Sequence, residues 1–152
     1  MGHTGSKRSA GSEPAKKRLT KAMLLPLSPA QIRERSLENH LVFAACRNRS
    51  GNKYLFGRLI EVIYLAYYIQ DAGYGAAALE LFKEAEAALD RDAKRAMRDG
   101  VWMVDAADLQ LFEDLLALHD RQLASVPSHV IYAVQARLAR FIAGKKSTPW
   151  TL

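Results

Sequence analysis

Apolar residues recur every three or four positions along most of this chain, and no stretch alternates apolar and polar residues for more than a few positions. The first pattern is typical of amphipathic helices, whereas alternation would indicate half-buried strands. Capping and breaking residues divide the pattern into segments, since Ser28 and Ser128 can begin helices and Gly73 can end one. The sequence therefore predicts an all-α fold, a single bundle of about five helices over residues 23–144.

The segments differ in how far their apolar residues extend around the helix. Residues 53–72 are apolar on nearly every side, which is typical of a central helix that packs against several neighbours. Residues 75–99, residues 106–124 and the segment from Ser128 to Gly144 each carry one apolar stripe. We therefore expect one central helix with amphipathic helices around it.

The segment before the central helix has two candidate start points. Ser28 is followed by a proline, an arrangement that is common in the first turn of a helix, and Ser36 offers a second start. Leu37 and Leu41 are four residues apart, so they lie on one side of a helix. We predict that they mark the inner face of this segment, which runs to Arg49.

The two ends of the chain differ from the middle in composition. Residues 1–22 contain almost nothing apolar, which predicts a disordered tail. This tail holds six basic residues and one acidic residue, so its net charge is +5 of the chain's total of +6. Residues 23–27 are predicted to be extended, with apolar side chains laid on the core, and residues 145–152 to be a frayed tail. The basic character of the chain therefore belongs to the N-terminal tail and not to the bundle.

Three groups of basic residues are candidate contacts for nucleic acid or another anion. Flexible basic tails bind phosphates without reading sequence, and the tail group is Lys7, Arg8, Lys16, Lys17, Arg18 and Lys21. The second group surrounds the turn before the central helix, where backbone N–H groups favour anions; it is Arg47, Arg49, Lys53 and Arg58. A secondary DNA contact is predicted at Arg137, Arg140, Lys145 and Lys146. An ordinary solvated loop is the alternative for the second group.

The last two predicted helices are also a candidate helix-turn-helix. The turn at residues 125–128 precedes a helix whose polar face includes Arg137 and Arg140, and Lys145 and Lys146 follow this helix. Against this interpretation, Glu113, Asp114 and Asp120 lie on the preceding helix. Their charge would oppose a phosphate backbone, so the N-terminal tail is the favoured contact.

Few residues suggest catalysis or metal binding. Cys46 is the only cysteine, which excludes an intramolecular disulfide and indicates a small core residue. His40 and His119 have no second ligand at the helical spacing of a metal site, so we expect structural histidines with hydrogen-bond partners. The acidic residues from Glu84 to Asp92 are predicted to lie on a solvated face. The sequence thus predicts no enzyme activity, no cofactor and no metal; a distant Cys46–His119 pair is the one catalytic alternative.

Five tyrosines lie in or next to the central helix. They are expected to form a half-buried packing belt, with a groove for a partner helix or a dimer interface as the alternative. They are Tyr54, Tyr64, Tyr67, Tyr68 and Tyr74.

Residues 62–85 resemble one tetratricopeptide hairpin. The residues that carry this resemblance are Val62, Leu65, Ala66 and Ile69 for the first helix, Gly73 and Tyr74 for the turn, and Ala78, Phe82 and Ala85 for the second helix. Proteins of that family stack at least about three such units. One unit implies a helical hairpin of that geometry.

Three other segments are similar to small bacterial helical proteins that are labelled Fis-family transcriptional regulators. They are MLLPLSP at 23–29, LENHL at 37–41, and LAYY with AGYG between 65 and 75. The resemblance implies a helical regulator associated with DNA.

These observations lead to two functional hypotheses. The first is a non-enzymatic regulatory protein that associates with nucleic acid mainly through its tail. The alternative is a protein-interaction or assembly module, in which the bundle binds a protein partner or forms a homodimer. The longest apolar stretch, residues 55–69, is interrupted by Arg58 and Glu61, and no signal-peptide pattern is present. We therefore expect a soluble, cytoplasmic protein without a membrane partner.

Overall fold

The computed structural model describes residues 18–144 and 147–150. Within these residues the chain forms six α-helices and one turn of 3₁₀-helix, and no strand is present. The α-helices are α1 (Lys21–Leu24), α2 (Pro29–Arg47), α3 (Lys53–Asp71), α4 (Leu79–Asp99), α5 (Leu109–Ser125) and α6 (Ser128–Ala143). The predicted all-α bundle is confirmed. No helix in the part of the chain that the structure describes is long and apolar enough to cross a membrane.

Helix α3 is the centre of the bundle, as its sequence predicts. It packs against α2, α4, α5 and α6. Its buried residues point in several directions around the helix, and they are Phe56, Leu59, Val62, Ile63, Tyr64, Ala66, Tyr68 and Ile69. An all-round apolar surface can be removed from water only by several neighbours. The other long helices therefore cover α3 from different sides.

Local side-chain hydrogen bonds fix where the helices begin and end. Ser28 and Gln31 form a reciprocal capping box at the start of α2, and this helix continues through Ser36 without a second start. The side chain of Gln70 accepts a hydrogen bond from Ala77 N and donates one to Ala77 O, at 2.8 and 2.6 Å. These two bonds hold residues 72–78 as a loop. Helix α4 therefore begins at Leu79 and not at residue 75.

The turn between α2 and α3 lies against the connection between α4 and α5. Val104 N donates to Cys46 O at 3.0 Å. A methyl group on Gly51 would overlap the carbonyl oxygen of Trp102. Because Gly51 has no side chain, the two connections can approach this closely. A 3₁₀ turn, Ala106–Asp108, then leads into α5, so the predicted fourth helix begins in a tighter geometry than expected.

The prediction for the N-terminal part is wrong at residues 21–24. These residues form α1, whose cap Thr20 accepts a hydrogen bond from Met23 N, instead of being disordered to 22 and extended afterwards. Ser128 holds α1 in place, since its backbone N–H donates to Leu25 O at 2.7 Å and its hydroxyl to Ala22 O at 3.1 Å. Of the apolar side chains between 23 and 27, only that of Leu27 is buried. The rest of the predicted tail, residues 1–17, lies outside the described residues.

The predicted inner face of α2 is also wrong. Leu37 and Leu41 are each 59% exposed, and the buried side chains of α2 are those of Phe43 and Cys46. The neighbouring helices therefore bury a different side of α2 from the one that the two leucines mark. On α6 the apolar stripe is buried as its spacing predicts, except at its end, where Ile142 is 58% exposed.

The C-terminal segment packs on the bundle where it is described. The indole of Trp150 meets the rings of Tyr64 and Tyr67 edge-on, with centroids 5.7 and 5.4 Å apart. These are favourable edge-to-face geometries. The prediction of a frayed tail is therefore wrong for residues 147–150, and the expected packing role of these tyrosines is confirmed.

Candidate functional site

The predicted tail contacts lie mostly outside the described residues, namely Lys7, Arg8, Lys16 and Lys17. Of this group the structure describes Arg18 and Lys21, which are exposed. Neither has an ion pair within residues 18–144 and 147–150. The charge of both is therefore open to solvent at the N-terminal end of the described chain.

The basic group around the α2–α3 turn is partly neutralised by acidic neighbours. Arg47 contacts Glu113 of α5 at 3.2 Å. Arg58 contacts Glu61 at 3.1 Å and Glu38 at 4.0 Å. Exposed pairs of this kind add little stability, but each carboxylate offsets the charge that an incoming phosphate would meet.

Arg49 and Lys53 are the remaining cations of this group. Both are exposed, and neither forms an ion pair with another described residue. Arg49 has a left-handed backbone conformation with φ of 64°, and Lys53 is the first residue of α3. The group thus offers two open cations beside a helix N-terminus instead of four.

The third basic group is divided in the same way. Arg137 contacts Asp71 of α3 at 2.8 Å, and its guanidinium carbon lies 4.2 Å from the centre of the Tyr68 ring. This arginine joins α6 to α3, in an ion pair and a cation–π contact. Arg140 is exposed, whereas Lys145 and Lys146 lie outside the described residues. Of the four predicted contacts, Arg137 therefore lies in an intramolecular ion pair and Arg140 is open to solvent.

Cys46 in the core and His40 at the surface have the structural roles that the sequence predicts. Cys46 is fully buried, and burial raises the pKa of its thiol to about 11. A thiol with this pKa is protonated at neutral pH and is a poor nucleophile. His40 on α2 contacts Asp120 of α5 at 2.7 Å, and Ser36 donates to the same carboxylate at 2.8 Å. This carboxylate therefore ties α2 to α5.

The prediction of a solvated acidic face on α4 is wrong at two residues. Asp92 is fully buried and accepts hydrogen bonds from Arg95 and from Asp105 N, each at 3.1 Å. Glu86 is half-buried and accepts a 2.5 Å hydrogen bond from the hydroxyl of Tyr64. Burial raises the pKa of both carboxyl groups. They are structural partners of the core.

His119 of α5 is a buried histidine. It is 4% exposed, and its Nδ1 lies 3.0 Å from Oε1 of Gln122. The amide of Gln122 is itself fixed, because its Nε2 donates to Ala66 O of α3 at 3.0 Å. Since Oε1 can only accept, Nδ1 of His119 must carry the proton. Burial lowers the pKa of His119 more than the hydrogen bond with Gln122 and the charge of Asp120 raise it, and the charge of Arg35 has a smaller lowering effect. The ring is therefore neutral, and its Nε2 holds a lone pair.

His119 forms part of a cleft of about 480 Å³ between α2, α3, α5 and α6. Its lining includes the apolar residues Val62, Leu65, Leu123 and Leu138. It also includes charged residues of α2 and α3, namely Glu34, Arg35, Glu38, Arg58 and Glu61. The sequence predicts that His119 is a structural histidine with a hydrogen-bond partner. It does not predict this cleft, because the lining residues come from four helices that lie at different places along the chain. Within the described residues, no cluster of three or more histidine, cysteine or acidic side chains could hold a metal ion.

Comparison with known proteins gives no relative for this chain. No protein-family model matches it, and neither a curated protein nor a solved structure is significantly similar to it. The likenesses to a tetratricopeptide hairpin and to Fis-family regulators therefore stay predictions. The function has to be inferred from the residues and their geometry.

The pH dependence of stability tests the state of His119. Because the pKa of the folded ring lies below the ordinary value of 6.5, the unfolded chain takes up a proton there before the folded protein does. The stabilisation by neutral His119 is present above pH 6.5 and is lost as the pH falls towards the folded pKa. The slope of the unfolding free energy below pH 6.5 should exceed that of H119Q by up to about 1.4 kcal/mol per pH unit. The side-chain amide that H119Q introduces keeps an N–H donor for Gln122.

Chemical denaturation at a series of pH values measures both slopes. H129Q, a change at a half-exposed histidine on α6, is the control for the loss of an imidazole. Equal slopes for the unmodified chain and H119Q would contradict a buried neutral ring.

Proposed function

We propose that this chain is a non-enzymatic regulatory protein that associates with nucleic acid mainly through its basic N-terminal segment. The observation that carries the proposal is how the chain distributes and pairs its charges. The first 22 residues hold a net charge of +5. The arginines predicted to bind anions on the bundle are largely engaged elsewhere.

The pairing of these arginines supports a bundle with weak attraction for phosphate. Arg47, Arg58 and Arg137 each contact a carboxylate within 3.2 Å. A phosphate would have to compete with that carboxylate for each of them. The N-terminal segment has one acidic residue, Glu13, for six basic ones. Phosphate contacts from such a segment would depend steeply on salt and discriminate little between sequences.

The position of α1 supports a separate role for the N-terminal segment. Ser128 fixes α1 against the start of α6 through the carbonyl groups of Ala22 and Leu25. The basic residues before α1 therefore join the bundle at one defined point. In this arrangement the segment supplies affinity for nucleic acid, and the faces of the bundle stay free for other contacts.

Charge-matched variants of the full chain test this proposal. The first variant replaces Lys7, Arg8, Lys16, Lys17 and Arg18 with glutamine. The control removes the same charge from exposed bundle cations that form no ion pair with a described residue: Arg33, Lys83, Arg98, Arg121 and Arg140, again to glutamine. Binding to a short DNA duplex is measured by fluorescence anisotropy over a range of salt concentrations.

Each lost phosphate contact lowers the slope of log affinity against log salt by about 0.9. We expect the slope for the N-terminal variant to be smaller than that of the unmodified chain by up to about 4.5. The control variant should keep most of the slope of the unmodified chain. Equal slopes for the N-terminal variant and the unmodified chain would refute the proposal. A loss confined to the control would place the contact on the bundle.

The exposed leucines of α2 favour assembly as a second candidate function. Leu37 and Leu41 are four residues apart and 59% exposed, so they form a small apolar strip on one side of α2. Single exposed apolar residues are ordinary on protein surfaces. Two exposed leucines on the same side of one helix are the simplest apolar surface for contact with a second copy of the chain.

Sizing chromatography with light scattering at several concentrations tests this second candidate. If the strip joins two copies, the unmodified chain should give a concentration-dependent dimer mass, and L37Q/L41Q should stay monomeric because the apolar contact is lost. M97Q, a change at a 72% exposed apolar residue of α4, is the control and should still dimerise. A monomer mass for the unmodified chain at every concentration would rule out this homodimer.

A further inference from the structure

We propose that the cleft between α2, α3, α5 and α6 binds a small molecule with one hydroxyl group and one carboxylate. In this arrangement the hydroxyl group donates a hydrogen bond to Nε2 of His119, and the carboxylate contacts Arg35. The inference is independent of nucleic-acid binding. It depends on an open acceptor, an open cation and an apolar wall that meet in one cleft.

The open acceptor is Nε2 of His119. Nδ1 is committed to Gln122, and no hydrogen bond from the described residues reaches Nε2. Every fully enclosed side-chain nitrogen or oxygen in this part of the chain has a partner. Nε2 must therefore reach accessible space, and the cleft is the space that His119 lines. The lone pair of Nε2 can accept a hydrogen bond from an O–H or N–H group of a ligand.

The open cation is Arg35, which lines the same cleft and is partly buried. It forms no ion pair with any described carboxylate. It lies close enough to His119 for its charge to affect that ring. Arg58, which also lines the cleft, already contacts Glu61. A partly buried guanidinium without an anion is therefore the position where a ligand carboxylate would gain most.

The other residues that line the cleft favour a compact ligand with a single negative charge. The volume of about 480 Å³ lies within the range of roughly 300 to 1,000 Å³ that is common for small-molecule sites. Leu65, Leu123 and Leu138 supply an apolar wall for a carbon skeleton. Glu34, which is exposed and forms no ion pair with a described cation, adds its negative charge to the lining, which also includes Glu38 and Glu61. This charge disfavours dianions such as phosphate esters.

The test uses the full chain with the three isomers of hydroxybenzoate as probes, because their hydroxyl and carboxylate groups are held at three different separations. Benzoate, which lacks the hydroxyl group, and phenol, which lacks the carboxylate, are the matched control ligands. Titration calorimetry measures affinity. Long-range ¹H–¹⁵N spectra follow Nε2 of His119.

At least one isomer should bind about tenfold more tightly than benzoate, because only the hydroxyl group can satisfy Nε2. The same isomer should shift the Nε2 resonance, and benzoate should not. Failure of all three isomers to bind up to their solubility limits would overturn the proposal. Equal affinities for benzoate and for every isomer would also overturn it.

Two arginine variants test the second contact without disturbing the core. R35Q should weaken the best isomer about tenfold or more and leave phenol unaffected, because phenol has no carboxylate for Arg35 to hold. R33Q removes an exposed arginine of the same helix and should change neither affinity. Equal weakening by R33Q and R35Q would show a general charge effect and would refute the assigned contact.

Discussion

The burial of α3 is the constraint on which the rest of the structure depends. A helix that is apolar on nearly every side must be covered on every side, and in this chain α2, α4, α5 and α6 share that task. The 3.0 Å hydrogen bond from Gln122 to Ala66 O joins α5 to the backbone of α3 inside this contact. It also fixes the amide that orients His119. The same packing that buries α3 therefore also positions His119, which lines the cleft.

Periodicity predicts which segments become helices. It predicts the buried face correctly for only some of these helices. The central position of α3 is predicted because its pattern leaves no polar face. Helix α2 is ambiguous, since Leu37 and Leu41 mark one side and Phe43 and Cys46 another. The contacts with α3 and α5 select the second side. No local pattern within α2 contains that information, because α3 is a separate helix and α5 begins far along the chain, at Leu109.

Electrostatic partners are similarly hidden from the sequence. Arg47 and Glu113 are 66 residues apart, and so are Arg137 and Asp71. The sequence therefore predicts cations where the structure shows ion pairs. The buried Asp92 has a partner three residues away in Arg95, which could have been read from helical spacing. Its second partner, Asp105 N, reaches Asp92 only because the chain turns back against α4 after that helix ends.

Native-state hydrogen exchange tests most directly whether the bundle is organised around α3. The amides of α3 between Leu59 and Ile69 should exchange only through global unfolding, because opening them requires all four surrounding helices to separate. Their opening free energy should equal the unfolding free energy from chemical denaturation. It should exceed the values for α1 and for the ends of α2 and α6. Faster exchange through local opening of α3, with α2 or α6 better protected, would contradict this account.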